Sequence, residues 1–347
     1  MGIHIGGILT VVPRRVRTVE ELAARFGQAD ARRIADLTGV EEVHLPAPGQ
    51  TTVDLAEEAG RRLLLHAGLT PEDVDGVVLV TQTPDYVAPA SACLLQARLG
   101  MSKRSLAFDV NQGCAGYPYG LAICGGLLAG GFCKRILLLN GDDIPRHAHP
   151  DDKATVPLFG AAVTATLLEN DAETDLLAID LGTDGSGWAN LIVPVGQSRY
   201  PTIEDFRAGA PENLRAIPYP ENVYMNGSEI FTFTLREVPG IVQRTLENSG
   251  RTADEVDYFF FHQANKFILD HLIKRMKLPP EKCPLSIRAY GNTSGASPAL
   301  TACHAVADIN RRRELTAMFV GFGVGYSWGG ALVRLRPRTV LPIEIVD

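Results

Sequence analysis

The chain contains its own near-copy at a fixed distance. Gly68-Leu-Thr-Pro-Glu-Asp-Val-Asp75 leads into the apolar run Val77–Val80. Gly250-Arg-Thr-Ala-Asp-Glu-Val-Asp257 leads into Tyr258–Phe261, an offset of 182 residues. The same offset carries Gly113 onto Gly295, Gly141 onto Gly323, and the apolar Ile136–Leu139 onto Met318–Gly321. One spacing held across separated blocks requires equal distances between equivalent elements. It therefore predicts a duplicated α/β unit rather than two unrelated domains. Each unit reads helix, Gly-x-Thr turn, buried strand, long loop, strand, glycine turn, buried helix, strand. Continuous apolar strands are what sheets covered on both faces require. Asp54–Ala67 and Val238–Ser249 are the predicted covering helices. The halves divide as residues 1–172, carrying Cys114, and 173–347, carrying His262 and Asn292.

Composition narrows the class. With 347 residues and 46% hydrophobic side chains, the chain can bury the core that two such units need. A net charge of -7 argues against a nucleic-acid binder, which needs a basic face. No membrane span is expected: the longest weakly polar run, Leu121–Cys133, is short and interrupted by glycines. Met1-Gly-Ile-His-Ile-Gly-Gly lacks a basic leader and reads as a first strand. Cys93, Cys114, Cys124, Cys133, Cys283 and Cys303 form no C-x-x-C pair, which fits free thiols in a reducing cytoplasm.

Cys114 stands out among them. It follows the β-rich Leu106–Val110 and the break at Gly113, and a helix-like stretch follows it. Unpaired N–H groups and the positive end of a helix dipole gather at such a point and favour thiolate. A thiolate there is a candidate covalent catalyst. At the matching position of the second half stands Ala296.

Partners for the thiol lie in the second half. His262 follows the strand Tyr258–Phe261, at a strand's carboxyl end, where α/β proteins place site residues. Asn292 lies in Ala289-Tyr-Gly-Asn-Thr-Ser-Gly-Ala-Ser-Pro298, a polar turn before a helix predicted over Ala299–Asn310. Gly321-Phe-Gly-Val-Gly-Tyr-Ser-Trp-Gly-Gly330 reads as a glycine-rich turn followed by a strand, so it fails the dinucleotide pattern, which needs a helix. Such a turn can aim backbone N–H groups at an oxyanion. Taken alone, His262 also fits a structural histidine and Asn292 ordinary turn chemistry.

These segments together resemble β-ketoacyl-acyl-carrier-protein synthase III, a family of the thiolase fold. Asp109-Val-x-x-x-Cys-Ala-Gly, Met225-Asn-Gly-Ser-Glu-Ile-Phe231, His262-Gln-Ala-Asn265, Gly291-Asn-Thr-Ser294 and Gly321–Leu332 match family motifs in order, over most of the chain. The resemblance implies two similar halves packed as α-β-α-β-α layers, and a catalytic triad of Cys114, His262 and Asn292. It implies an acyl-cysteine intermediate, then decarboxylative condensation with malonyl-carrier protein to a β-ketoacyl thioester. The oxyanion hole would use the N–H of Cys114 and of the turn at Val324. His262 and the Asn292 amide would hold the enolate oxygen. Acyl-CoA or acyl-carrier protein would be the donor, with no metal or redox cofactor, and the enzyme would be a homodimer.

Departures from the family refine these expectations. Arg33 and Leu37 replace a Trp and an Arg in the coenzyme A segment, which favours carrier-protein donors. Ala88 falls where relatives have a Phe that closes the acyl pocket across the dimer, which predicts chains longer than acetyl. Met225 and Phe159 are further candidates for the acyl pocket. Lys266, Lys274 and Arg275, on the helix after His262, are candidates for carrier-protein docking. Val324 replaces a usual glycine, and a valine disfavours positive φ. Ala24–Gln50 and Gln197–Val223 read as loop-rich lids or tunnel walls.

Competing readings keep other outcomes in view. The same acyl-cysteine could deliver its chain to an oxygen or nitrogen nucleophile, with His262 as base. A non-catalytic partner subunit conflicts with an intact Cys, His and Asn, and a papain-like protease conflicts with the duplication. His147-Ala-His149-Pro-Asp151 reads as a polar loop rather than a metal site. Gly141-Asp-Asp143 reads as a strand end without a catalytic role.

Overall fold

A computed structural model describes residues 2–347. Ten of its strands build two main sheets. They are β1 (Gly2–Pro13), β2 (Gly76–Val80), β3 (Leu106–Val110), β4 (Arg135–Asp142), β5 (Ala162–Asp171), β6 (Leu176–Thr183), β7 (Tyr258–Phe261), β8 (Leu315–Gly323), β9 (Ser327–Leu335) and β10 (Glu344–Val346). The first sheet runs β10-β1-β5-β4-β2-β3 and the second runs β6-β9-β8-β7. Within the first, β1-β5 and β5-β4 are antiparallel and β4-β2 is parallel. Within the second, β6-β9 and β9-β8 are antiparallel and β8-β7 is parallel. Four strands thus repeat with the same order and directions.

Six helices complete the layers: α1 (Thr52–Ala67), α2 (Ser91–Leu99), α3 (Gly116–Ala129), α4 (Gly227–Ser249), α5 (Lys266–Met276) and α6 (Ser297–Asn310). Helices α1 and α2 cover the outer face of the first sheet through Leu55, Leu63 and Leu95. Helices α4 and α5 cover the second through Phe233, Ile241 and Leu269. Between the sheets lie α3 and α6. Tyr117 and Leu121 of α3 and Val306 of α6 pack there against Val80 and Leu138 on one side and Phe260 and Phe319 on the other. This is the five-layer α-β-α-β-α sandwich of the thiolase fold. Truncating a side chain of its central layer, such as Leu121→Ala, removes contacts to both sheets and costs about 2–5 kcal/mol.

The duplication extends to the punctuation between elements. Gly68 ends α1 and Gly250 ends α4, each left-handed at φ 67°. After each comes a single 3₁₀ turn with a capping box, Thr70 with Asp73 and Thr252 with Glu255. Capping boxes satisfy N-terminal donors that a short turn would otherwise leave bare.

Several elements differ from the sequence expectation. Helix α4 begins at Gly227, well before Val238, because the Asn226 side chain caps it and Pro239 is accommodated inside it. Most of the glycine-rich 321–330 run is strand, with only residues 324–326 turning between β8 and β9. Its glycines serve close packing: a Cβ on Gly329 would lie 2.7 Å from Pro118. The two expected loop segments hold secondary structure. One contains helix Gln28–Thr38 and strand Glu42–Leu45, which pairs with Arg15–Thr18. The other contains helices Ile203–Gly209 and Glu212–Arg215, closed on a small core around Phe206. Finally, β10 returns to the first sheet, parallel to Val11–Pro13 of β1.

Candidate active site

The two inner helices begin beside one another. Gly113 and Gly295, equivalent in the repeat, are in contact: a Cβ on Gly295 would lie 2.6 Å from the Gly113 carbonyl oxygen. Cys114 sits in the turn between β3 and α3, two residues before the helix starts. It is 7% exposed and lies on the wall of a cavity of about 960 Å³. Gly323 at the end of β8 passes directly over it, since a Cβ there would lie 2.8 Å from Sγ. Any side chain at 323 would displace the Cys114 sulfur.

Ser294 joins the other candidates to the thiol. Its N–H donates to Asn292 Oδ1 at 2.9 Å, and its carbonyl oxygen lies 3.0 Å from His262 Nδ1. Its hydroxyl acts on Cys114. The residue is held at φ 50°, an uncommon conformation for a side-chain-bearing residue, and it lines the cavity beside Cys114 and Val324. His262 and Asn292 are 2% and 5% exposed and stand just behind that wall. Asn292 is fixed by backbone pairing with the 158–160 segment, its N–H to Leu158 and its carbonyl from Gly160. With Oδ1 engaged by Ser294, its amide nitrogen makes only a long 3.4 Å bond to Ala264 and has a second hydrogen to offer.

The charge states differ from the sequence expectation for the thiol. Burial pushes the Cys114 thiol up to about 11, against smaller lowering effects from the Val324 backbone N–H and the Ser294 hydroxyl. Desolvation is the largest influence on it, so the resting group is a thiol rather than a thiolate. Burial likewise holds His262 down at about 4, so the imidazole is neutral. Its Nδ1 is also 2.8 Å from Ser297 Oγ. A hydroxyl donating to Nδ1 leaves the ring hydrogen on Nε2, whereas a carbonyl accepting from Nδ1 leaves Nε2 bare. Ser297 therefore has a hand in whether the ring donates or accepts.

At the oxyanion turn, Val324 presents its backbone N–H to the sulfur. The left-handed backbone falls on Gly325, at φ 130°, so the valine itself is not strained.

The remaining expected residues divide. Phe159 lines the cavity with Leu191, Ile192 and Val223. Met225 does not: it pairs with Leu191 in a short ribbon and packs among the residues around Phe159, away from the opening. Ala88 is exposed in the loop that places Tyr86 and Val87 at the cavity, and it does not itself line that cavity within one chain. Lys266, Lys274 and Arg275 are exposed on α5, with Lys266 paired to Asp270. Leu37 and Arg33 are also exposed, and Gly39, which ends their helix, packs on Lys266. In the His147–Asp151 loop, His149 stacks on Tyr219 at 3.5 Å and Asp151 pairs with Arg25.

Three residues escaped the sequence reading. Ser294 and Ser297 lay inside a recognised motif without a role. Asp142, expected only to end a strand, is wholly buried close enough to Cys114 that a negative charge on it would push the thiol further up. Polar Asn140 and Asp142 closing the apolar run of β4 were the available signal.

The chain is similar to known proteins of one family. Residues 108–185 match the profile described as 3-oxoacyl-[acyl-carrier-protein (ACP)] synthase III, and residues 246–335 match its C-terminal counterpart. The chain is 33% identical over 352 residues to beta-ketoacyl-[acyl-carrier-protein] synthase III of Rhodopirellula baltica, covering 96% of this chain and 98% of that one. It is 35% identical to the Synechococcus sp. (strain WH7803) enzyme of the same name, covering 98% of each.

The chain belongs to the 3-oxoacyl-[acyl-carrier-protein] synthase III family.

Its structure superposes on the 3-oxoacyl-(acyl-carrier protein) synthase of Burkholderia xenovorans LB400 with a TM-score of 0.92 at 37% identity, covering 100% of this chain and 97% of that one. The family's two matched segments carry Cys114 in the first and His262 and Asn292 in the second.

Proposed function

We propose that Cys114 is the nucleophile of a synthase III that stores an acyl group on sulfur and condenses it with malonyl-carrier protein. The observation that carries this reading is the linkage of Cys114, His262 and Asn292 through the single residue Ser294 beside the cavity. An acyl thioester enters and the sulfur attacks its carbonyl carbon. One thiol replaces another, so this exchange is proton-neutral overall. The developing oxyanion meets the backbone N–H groups of Val324 and Cys114. The departing pantetheine or coenzyme A thiol then makes way for malonyl-carrier protein. Loss of carbon dioxide leaves an enolate oxygen, which the free Asn292 amide hydrogen and His262 Nε2–H bind. The enolate carbon attacks the stored acyl carbonyl. The regenerated thiolate takes one proton, matching the one that decarboxylative condensation consumes.

The acyl group is longer than acetyl in this proposal. The cavity's size and its apolar wall of Phe159, Leu191, Ile192 and Val223 support that choice. Exposed Lys274 and Arg275 on α5 are the proposed contact for the acidic carrier protein, and a homodimer is the proposed assembly. Residues 1–172 and 173–347 are proposed as the two functional halves, the first carrying the nucleophilic sulfur and the second the His262 and Asn292 that activate malonate.

The test is intact-protein mass spectrometry after mixing with acyl thioesters from acetyl to dodecanoyl, coupled to carbon dioxide release from malonyl-carrier protein. A single acyl adduct on Cys114, with medium chains preferred and carbon dioxide released, is expected. An adduct elsewhere would overturn the assignment of the nucleophile, and a strict preference for acetyl would overturn the chain length.

A further inference from the structure

Adjacent carboxylates at the end of β4 have opposite surroundings. Asp143 pairs with Arg146. Asp142 is wholly buried, and every hydrogen bond it accepts falls on one oxygen: Gln82 N–H at 2.6 Å, Thr81 Oγ1 at 2.9 Å and Thr83 Oγ1 at 3.4 Å all donate to Oδ1. Oδ2 has no hydrogen-bond partner of good geometry among the described residues. An ionised carboxylate so placed would leave half its charge without donors in a dry interior, a cost of several kcal/mol in real proteins. A carboxylic acid needs an acceptor for one hydrogen instead. The 294–296 turn packs on β4, and the Ser294 hydroxyl acts both on this carboxyl and on the Cys114 thiol.

We propose that Asp142 is kept as a neutral acid whose Oδ2–H donates to Ser294 Oγ, so that the Ser294 O–H is aimed at the Cys114 sulfur. Asp142 is then a positioning residue that works through Ser294. No proton is transferred along the chain, and the hydrogens on Asp142 and Ser294 are the same before and after turnover. The chain serves the thiolate that reappears each time the ketoacyl product leaves. A neutral Asp142 also spares that thiolate a nearby negative charge. Burial shifts the carboxyl in the required direction, upward.

This inference rests on Cys114 as nucleophile, but its test reads Asp142 directly. In the wild-type enzyme at neutral pH, infrared spectroscopy should show a buried carboxylic-acid C=O stretch that Asp142→Asn removes. Ser294→Ala, which keeps Asp142, should shift that band. Ser294→Ala should also raise the alkylation midpoint of Cys114 by about one to two pH units, the worth of one hydrogen bond to a charged group. Asp142→Asn retains a donor and should keep most of the acyl-transfer rate, whereas Ser294→Ala should lose roughly tenfold or more. A wild-type spectrum without the acid band would overturn the proposal. So would a folded Asp142→Asn enzyme unable to acylate, because an ionised carboxylate would then be required. If Asp142→Asn does not fold, labelled aspartate in the wild type and in Ser294→Ala gives the same decision. Cys114→Ala should leave the band and its shift in place, so failure of the nucleophile assignment is read separately.

Discussion

Helices α3 and α6 occupy equivalent places in the repeat and sit together between the sheets, yet their entrances do different work. The entrance to α3 carries Cys114 beside the cavity. The entrance to α6 carries Ala296, fully buried, and its polar groups lie upstream in Asn292 and Ser294. In the proposed mechanism the first half therefore holds the reacting sulfur and the second holds the groups that steer charge around it. The fold supplied two equivalent stations, and chemistry uses both only because they touch at Gly113 and Gly295. A duplicated frame can thus give an asymmetric site without any change of backbone plan.

Moving or deleting the station-specific groups should break this comparison in order of effect. Cys114→Ala should abolish acyl-enzyme formation, lowering condensation on the order of a thousandfold or more. Ala296→Cys should not create a second acylation site, because its methyl group points into sealed core, so mass spectrometry of that variant should show one adduct. Two adducts would mean the stations are interchangeable. Asn292→Ala and His262→Ala should retain acylation but lower carbon dioxide release by roughly 10²–10³-fold each, the worth of a donor at a developing oxyanion. If acylation falls as steeply as decarboxylation, the division between the halves is wrong. The mildest test is pH. Because burial raises the Cys114 thiol to about 11, its thiolate fraction below that value grows about tenfold per pH unit. Alkylation of Cys114 should therefore keep accelerating through pH 9 without levelling. A plateau near neutral pH would mean that the helix entrance, and not burial, governs the sulfur.

The frame was legible because spacing is a one-dimensional signal. Gly68 and Gly250 are both helix-ending residues, and Thr70 and Thr252 both head capping boxes, so local chemistry repeated with the offset. Cys114, His262 and Asn292 were legible as residue types at the ends of predicted elements. What sequence could not carry was the dielectric environment. The expected thiolate is a thiol because burial is the largest influence on the sulfur, and burial belongs to the assembled layers. Asp142 looked like a strand end because its meaning depends on which of its two oxygens finds donors. Met225 sat near pocket residues in order along the chain, but it packs beside Phe159 and Leu191 rather than on the cavity wall. Helix α4 extends upstream of Val238 because the Asn226 cap starts it at Gly227 and packing on β9 carries it past Pro239.

The return of β10 to the edge of β1 has a consequence for how the molecule comes into being. Residues 344–346 complete a sheet begun by residues 2–13, and Ile8 also bridges to Val340. During synthesis the amino-terminal sheet must wait, its edge open, until residues 344–346 have emerged. Contacts between such distant parts of a chain form slowly, and an open edge invites pairing with other chains. The ribosome's tempo and the presence of chaperones should therefore bear on the yield of this enzyme more than its compact interior would suggest.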